Sequence, residues 1–327
     1  MDMTTRLREG LPNLHHRAES GEQRDAPVTA VAAALAPADG DTGGFPIPGR
    51  LRSPELVDRL RELSGRRILF HPLPGSAGDS LRHAATYQLF ADLGIRFDVL
   101  SDNDTAAGEI LVIGGGGNFV PAYSSVRNTL LRTARNAREV IVLPQTVRGN
   151  EELIEQLGPS VEIFCRDAES YLHVVAHRSR AKARLAHDLS FLVDPERLRA
   201  VAGPAAKALL AKRAPSRPIE RLMSEAGHRF FFRKARHRTK RICPKSSVDI
   251  SLQFKTGTRP GEAEVGALAL LTYLQGVHEL HTERLHVAIA GAMLGKRVYL
   301  YDDPLRVAGS AYRHSLHEDF PRVQLID

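Results

Sequence analysis

Short apolar runs that alternate with stretches of helical spacing constrain this chain more than any other feature. Arg67-Ile68-Leu69-Phe70, Phe97-Asp98-Val99-Leu100, Glu109 to Ile113, Val140 to Leu143 and Val161 to Cys165 read as strands, with Ala186 to Leu192 as a last one. Between them Leu81, Ala85, Leu89 and Leu93, then Val126, Leu130, Leu131 and Ala134, fall on helical stripes. Strands apolar on both faces need cover on both faces, and alternating helices supply it. The pattern predicts a parallel, doubly wound α/β sheet.

A smaller α/β half follows. Phe230-Phe231-Phe232 and Val248 to Leu252 read as strands, Glu262 to Leu274 as a helix, and Gly276 to Thr282 as strand and turn. A helix over Glu283 to Leu294 then leads to a strand over Arg297 to Asp302. The expected division is a flexible lead-in over 1–50, an N-terminal Rossmann-like domain over 51–200, a linker over 201–226 and a C-terminal Rossmann-like domain over 227–327. A length of 327 residues with 43% apolar content suits two cores of ordinary size.

Cys165 and Cys243 give neither a disulfide framework nor a zinc spacing, which favours a reducing, cytoplasmic setting. No apolar run reaches the roughly 18 residues of a spanning helix, and Ala30 to Ala36 is short and flanked by acids. The net charge of +7 is concentrated: Arg229, Arg233, Lys234, Arg236, Arg238, Lys240, Arg241 and Lys245 stand without an intervening acid. Such a patch suits nucleic acid, an anionic glycan, a lipid headgroup or a phosphorylated substrate, and equally a solvated loop. No recognition-helix or RNA-binding signature accompanies it, so nucleic acid is the least favoured partner.

Candidate chemistry sits where strands end. Loop 71–78 carries Gly75 and Gly78 and runs into Asp79, a unit that aims backbone N–H groups at an anion; Asp79 is equally a helix cap. Gly114 to Gly117 and Asn118 follow a buried-type strand, but the dinucleotide fingerprint fails because its third position falls on Phe119 or Val120. The run is either a close approach to ligand or a tight turn. Pro144-Gln145-Thr146 caps the next strand, and Arg166-Asp167 with Ser170 follows another, as a ligand site or a structural ion pair. Arg284 and His286 at a helix start pair a cation with a titratable imidazole. No metal site is expected. His173, His278 and His281 read as ordinary.

Taken in order, Gly78-Asp79, Gly114 to Asn118, Leu143-Pro144-Gln145, Arg166-Asp167 with Ser170, and Arg284-Leu285-His286 followed by Leu294-Gly295-Lys296 resemble the polysaccharide pyruvyl transferase family over residues 66 to 320. The resemblance implies a GT-B-like pair of Rossmann-like domains with the active site in the cleft between them. It implies transfer of pyruvate from phosphoenolpyruvate, a co-substrate with no separate cofactor, to a hydroxyl pair on an exopolysaccharide or cell-surface glycan precursor, forming a ketal. Arg166, Arg284 and His286 would surround the donor, with His286 as acid and Asp79 handling the hydroxyl proton. Gly75, Gly78, Gly115, Gly116, Asn118, Gln145, Asp167 and Ser170 complete the expected binding set. A lipid-linked acceptor would bring the 229–245 patch to the inner face of the membrane. The alternative is a glycosyltransferase of similar fold using a nucleotide sugar. Asp302-Asp303 and the bases after Phe232 depart from the family pattern and leave acceptor identity open.

Overall fold

The computed structural model describes residues 45, 47–101, 104–214, 228–232, 247–303 and 306–326. The basic patch, apart from Arg229, falls outside them, as does nearly all of the expected lead-in.

The N-terminal elements are α1 (Pro54–Arg61), β1 (Arg67–His71), α2 (Ala77–Asp92), β2 (Arg96–Val99), β3 (Ile110–Ile113), β4 (Gly116–Phe119), α3 (Ser125–Thr133), β5 (Glu139–Val147), α4 (Glu151–Gln156), β6 (Val161–Cys165), α5 (Ala168–Ala176) and β7 (Lys182–Leu185). Their strands form one parallel sheet ordered β2-β1-β3-β5-β6-β7, with β4 also pairing to β5. The central strands β3 and β6 are buried at every position; β3 is an unbroken apolar run, and in β6 the buried Glu162 is paired with Arg59 and Arg184.

The chain continues through α6 (Pro195–Arg213), β8 (His228–Phe231), α7 (Ile250–Gln253), α8 (Glu262–Gln275), β9 (Glu279–Thr282), α9 (Leu285–Met293), β10 (Arg297–Tyr301), α10 (Val307–Ala311) and β11 (Val323–Ile326). A second parallel sheet runs β11-β10-β9-β8. Gly291 lets α9 lie close on it: a Cβ there would stand 2.7 Å from the Leu280 side chain and 2.9 Å from Val298.

Several expectations are corrected. The last N-terminal strand is Lys182–Leu185, not 186–192. Asp188 accepts from the Ser190 backbone N–H (3.0 Å) and turns Leu189–Leu192 into a 3-10 helix. Val248 to Leu252 is no strand, because Ile250–Gln253 coils into a helical turn. The stretch read as linker is helical up to Arg213: Asp194 caps α6, accepting from Glu196 and Arg197 N–H groups, and Ala202, Ala206 and Leu210 join the C-terminal core. Gly116–Phe119 is extended and paired, where a turn into a helix was one reading.

Helix α2 joins the halves. It is buried on nearly every face, so its sequence carries little amphipathic contrast. Ala77, Leu81, Ala84 and Ala85 pack into the core shared with α8 and α9. Tyr87, Leu89 and Phe90 pack against Phe70 and the N-terminal sheet.

Candidate functional site

The carboxyl ends of both sheets open on one cleft. It is lined by Ser76, Gly78, Asp79, Gly117, Asn118, Tyr123, Arg166, Ser251, Arg284, His286 and Asp303, among others. Ligands of open parallel sheets bind at this edge, where loops leave the strands and helix N-termini arrive.

His286 stands on the first turn of α9, 3.5 Å from Asp79 through Nδ1 and 3.3 Å from Asp188 through Nε2. Its approach depends on Gly78, where a Cβ would lie 2.8 Å from the Cβ of His286. Each ring nitrogen thus faces a carboxylate, one from α2 and one from the turn after β7.

Asp188 links two of the expected residues. Its Oδ2 accepts from Arg166 Nη1 at 2.8 Å as well as facing His286, and Asp188 and Arg166 side chains are only 3% and 2% exposed. Burial by itself would raise the Asp188 carboxyl, but the charge of His286 and its hydrogen bond, followed by Arg166, hold it well below the usual carboxylate range. Arg166 Nε donates to Thr146 Oγ1 at 2.8 Å, which fixes the guanidinium plane.

Asp79 belongs to the capping arrangement of α2. Its Oδ2 accepts from Ser76 N–H (2.7 Å) and from Ser76 Oγ (3.0 Å). Burial opposes its ionisation, and Arg82, His286 and the Ser76 amide reverse that effect to leave the carboxyl well below its ordinary value. The buried Arg82 lies 3.5 Å from Asp79 and donates to the Gly115 carbonyl. Its Nη2 is 3.2 Å from His83 Nε2. Burial, seconded by Arg82, pushes the His83 imidazole down to about 3.

Arg284 is the N-cap residue of α9, and its backbone N–H donates to Thr282 Oγ1 at 3.0 Å. Asp249 grips the guanidinium with two bonds, from Nε at 3.0 Å and Nη2 at 2.6 Å. Arg166 and Arg284 therefore reach the cleft already oriented by buried carboxylates, with further donors of their five available to a ligand.

The fold brings together His286, Arg284, Arg166, Asp79, Gly78 and Asn118 among the residues expected from sequence. It places the others behind the cleft wall. Gly75 is required because the Asp79 side chain occupies the space of its Cβ. A Cβ on Gly115 would meet the Pro144 carbonyl at 2.7 Å, and one on Gly116, whose φ is +126°, would meet Arg82. These glycines admit protein groups, not ligand. Gln145 is fully buried and clasps the glycine strand, Nε2 donating to Gly114 O (2.7 Å) and Oε1 accepting from Asn118 N–H (3.1 Å). Asp167 caps α5 and accepts from Ser170 N–H and Oγ, both at 2.8 Å.

Sequence reasoning passed over Asp188, Asp249, Arg82, Ser76, Tyr123 and Ser251. It also discounted a grouping outside the cleft, where Glu151, His173 and His177 converge. The four-residue spacing of the two histidines on a helix was a readable signal.

A cleft with two oriented guanidinium groups and a carboxylate-flanked imidazole, at the carboxyl edges of two parallel sheets, defines a Rossmann-like α/β protein equipped to hold an anion and transfer a proton. A family model for polysaccharide pyruvyl transferase matches residues 77–302, most of the chain, and the chain belongs to that family. Membership makes it a transferase, with pyruvyl transfer on polysaccharide as the family activity. A crystal structure of an uncharacterized protein from Klebsiella pneumoniae subsp. pneumoniae NTUH-K2044 shares the fold, with a TM-score of 0.66 at 22% identity over 84% of this chain and 96% of that one. No curated protein matches. Among the described residues no helix is long and apolar enough to cross a membrane.

Proposed function

We propose that the protein transfers pyruvate from phosphoenolpyruvate to a pair of sugar hydroxyls on a cell-surface glycan precursor, forming a ketal. The observation that carries this reading is the convergence of Arg166, Arg284 and His286 on one cleft, with His286 between Asp79 and Asp188. Two separate parallel sheets support a GT-B-like arrangement of the two halves.

Phosphoenolpyruvate carries a carboxylate and a phosphate, and two planar guanidinium groups suit two such anions. Protonated His286 delivers its proton to the vinyl CH₂, leaving an oxocarbenium-like C2. A sugar hydroxyl attacks C2, and its proton passes to the imidazole that has just been vacated. The second hydroxyl then displaces phosphate, which carries away that hydroxyl's proton. General acid catalysis of this kind contributes about 10²–10⁴-fold.

Asp79 is held too low to be an effective base, so its role is that of a fixed negative charge beside the imidazolium. A cytoplasmic setting with a lipid-linked acceptor at the inner membrane face remains part of the proposal, as does the 229–245 patch as the membrane contact.

The test is phosphate release by purified protein given phosphoenolpyruvate and a panel of glycan acceptors. His286→Gln is expected to abolish release while retaining phosphoenolpyruvate binding. Full activity in that variant removes His286 from the acid role, and failure of phosphoenolpyruvate to bind the wild type sinks the reading.

A further inference from the structure

Helix α5 has the cleft at one end only. Its N-terminus follows Arg166; its C-terminal turn carries His173 and, as C-cap, His177. The two ends are about 13 Å apart at 1.5 Å per residue. Four-residue spacing puts both imidazoles on one face, with ring centroids 4.7 Å apart. The neighbouring helix α4 brings Glu151 to them because the chain reverses through Gly149 and Asn150, whose φ angles are +59° and +58°.

One ligand atom from each of Glu151, His173 and His177 lies within 4.8 Å of the other two. A carboxylate oxygen of Glu155 stands 3.7 Å from His177 Nδ1, and the Gly149 carbonyl stands 2.9 Å from His173 Nε2. All three residues retain solvent access, Glu151 most of all. The C-terminal end of α5 adds partial negative charge beside His177.

We propose that Glu151, His173 and His177 form a surface site for a divalent transition-metal ion, Zn²⁺ or a neighbour in the series. Two imidazoles with one carboxylate suit Zn²⁺, Co²⁺, Ni²⁺ or Cu²⁺, and the nitrogen donors disfavour Mg²⁺ and Ca²⁺. Glu155 or water completes the coordination. The ion clips α4 to α5 across the turn that follows Arg148. Arg148 itself donates to Ser170 Oγ (2.7 Å), Asp167 (3.1 Å) and Ser310 Oγ (3.0 Å), so the clip fastens the far side of the scaffold behind Arg166.

The experiment uses the full chain without an affinity tag, stripped by chelator and titrated with Zn²⁺ by calorimetry, then with Co²⁺ followed by visible absorption. The comparison proteins are the His173→Ala/His177→Ala double variant, and His177→Gln as a milder change if the double variant melts early. Wild type is expected to bind one more ion than either, with Kd about 10 µM or tighter, and Glu151→Gln to weaken binding about 10–100-fold. Zn²⁺ should raise the melting temperature of wild type and not of the double variant. Excess Mg²⁺ should not displace the ion. Equal stoichiometry and affinity in wild type and the histidine variants overturns the site, since other histidines are common to all.

Discussion

Asp188→Asn tests the arrangement at its most connected point. The substitution is isosteric and keeps an oxygen for the Ser190 amide, but it removes the charge that Arg166 and His286 share. Arg166 is 2% exposed, so its guanidinium is left buried and unpaired. Breaking a buried ion pair from one side costs about 3–5 kcal/mol. At roughly 2–4 °C per kcal/mol for a chain somewhat smaller than this one, the melting temperature should fall on the order of 10 °C. Activity should fall further than stability explains, because His286 loses the carboxylate on Nε2 and Arg166 loses the one that holds Nη1. A drop of about 10²-fold or more in kcat is expected, measured by phosphate release at a temperature where circular dichroism shows the variant folded. A variant that melts with wild type and turns over within threefold of it refutes the role given to Asp188.

Gly78→Ala should push the start of α9 and His286 back, because the new Cβ would stand 2.8 Å from the His286 Cβ; the expected outcome is a loss of kcat with phosphoenolpyruvate affinity changed less. Asp249→Asn should chiefly raise KM for the donor, by about tenfold or more, since it frees the Arg284 guanidinium from its two bonds. His83 predicts a pH dependence of stability. Its folded pKa is about 3 against 6.5 when unfolded, so the unfolded state takes the proton first and stability, full above pH 6.5, is lost as pH falls toward 3. At pH 5 the cost is about 2 kcal/mol, and His83→Gln should flatten that part of the curve in chemical denaturation; an unchanged slope contradicts the neutral, buried histidine.

The N-terminal sheet was legible because β3 and the Val140–Leu143 part of β5 are apolar and buried on both faces, and β6 carries a single acid, Glu162, among apolar residues. Arg284 and His286 were legible for a local reason too, lying two positions apart at a helix start. Asp188 was not, because it sits among Ala186, Leu189 and Phe191 and takes its meaning from Arg166 and His286, which are 22 and 98 positions away. Asp249 was hidden in the same way within Val248 to Leu252. The glycine run was read as a close approach to ligand or a tight turn; sequence spacing gave no sign that Arg82 and Pro144 are the groups that approach it. Gln145, Asp167 and Ser170 are polar residues after strands whose side chains hold the protein's own backbone in place.

Helix α2 belongs to two hydrophobic cores at once, through Ala77 to Ala85 on one side and Tyr87 to Phe90 on the other. Neither half can therefore be excised without stripping apolar surface from the same sixteen residues. Chimeras that exchange the C-terminal half between relatives would have to carry a matching face of this helix with it. Its first turn also holds Gly78 and Asp79, so the segment that makes the halves inseparable fixes the position of His286 across the cleft.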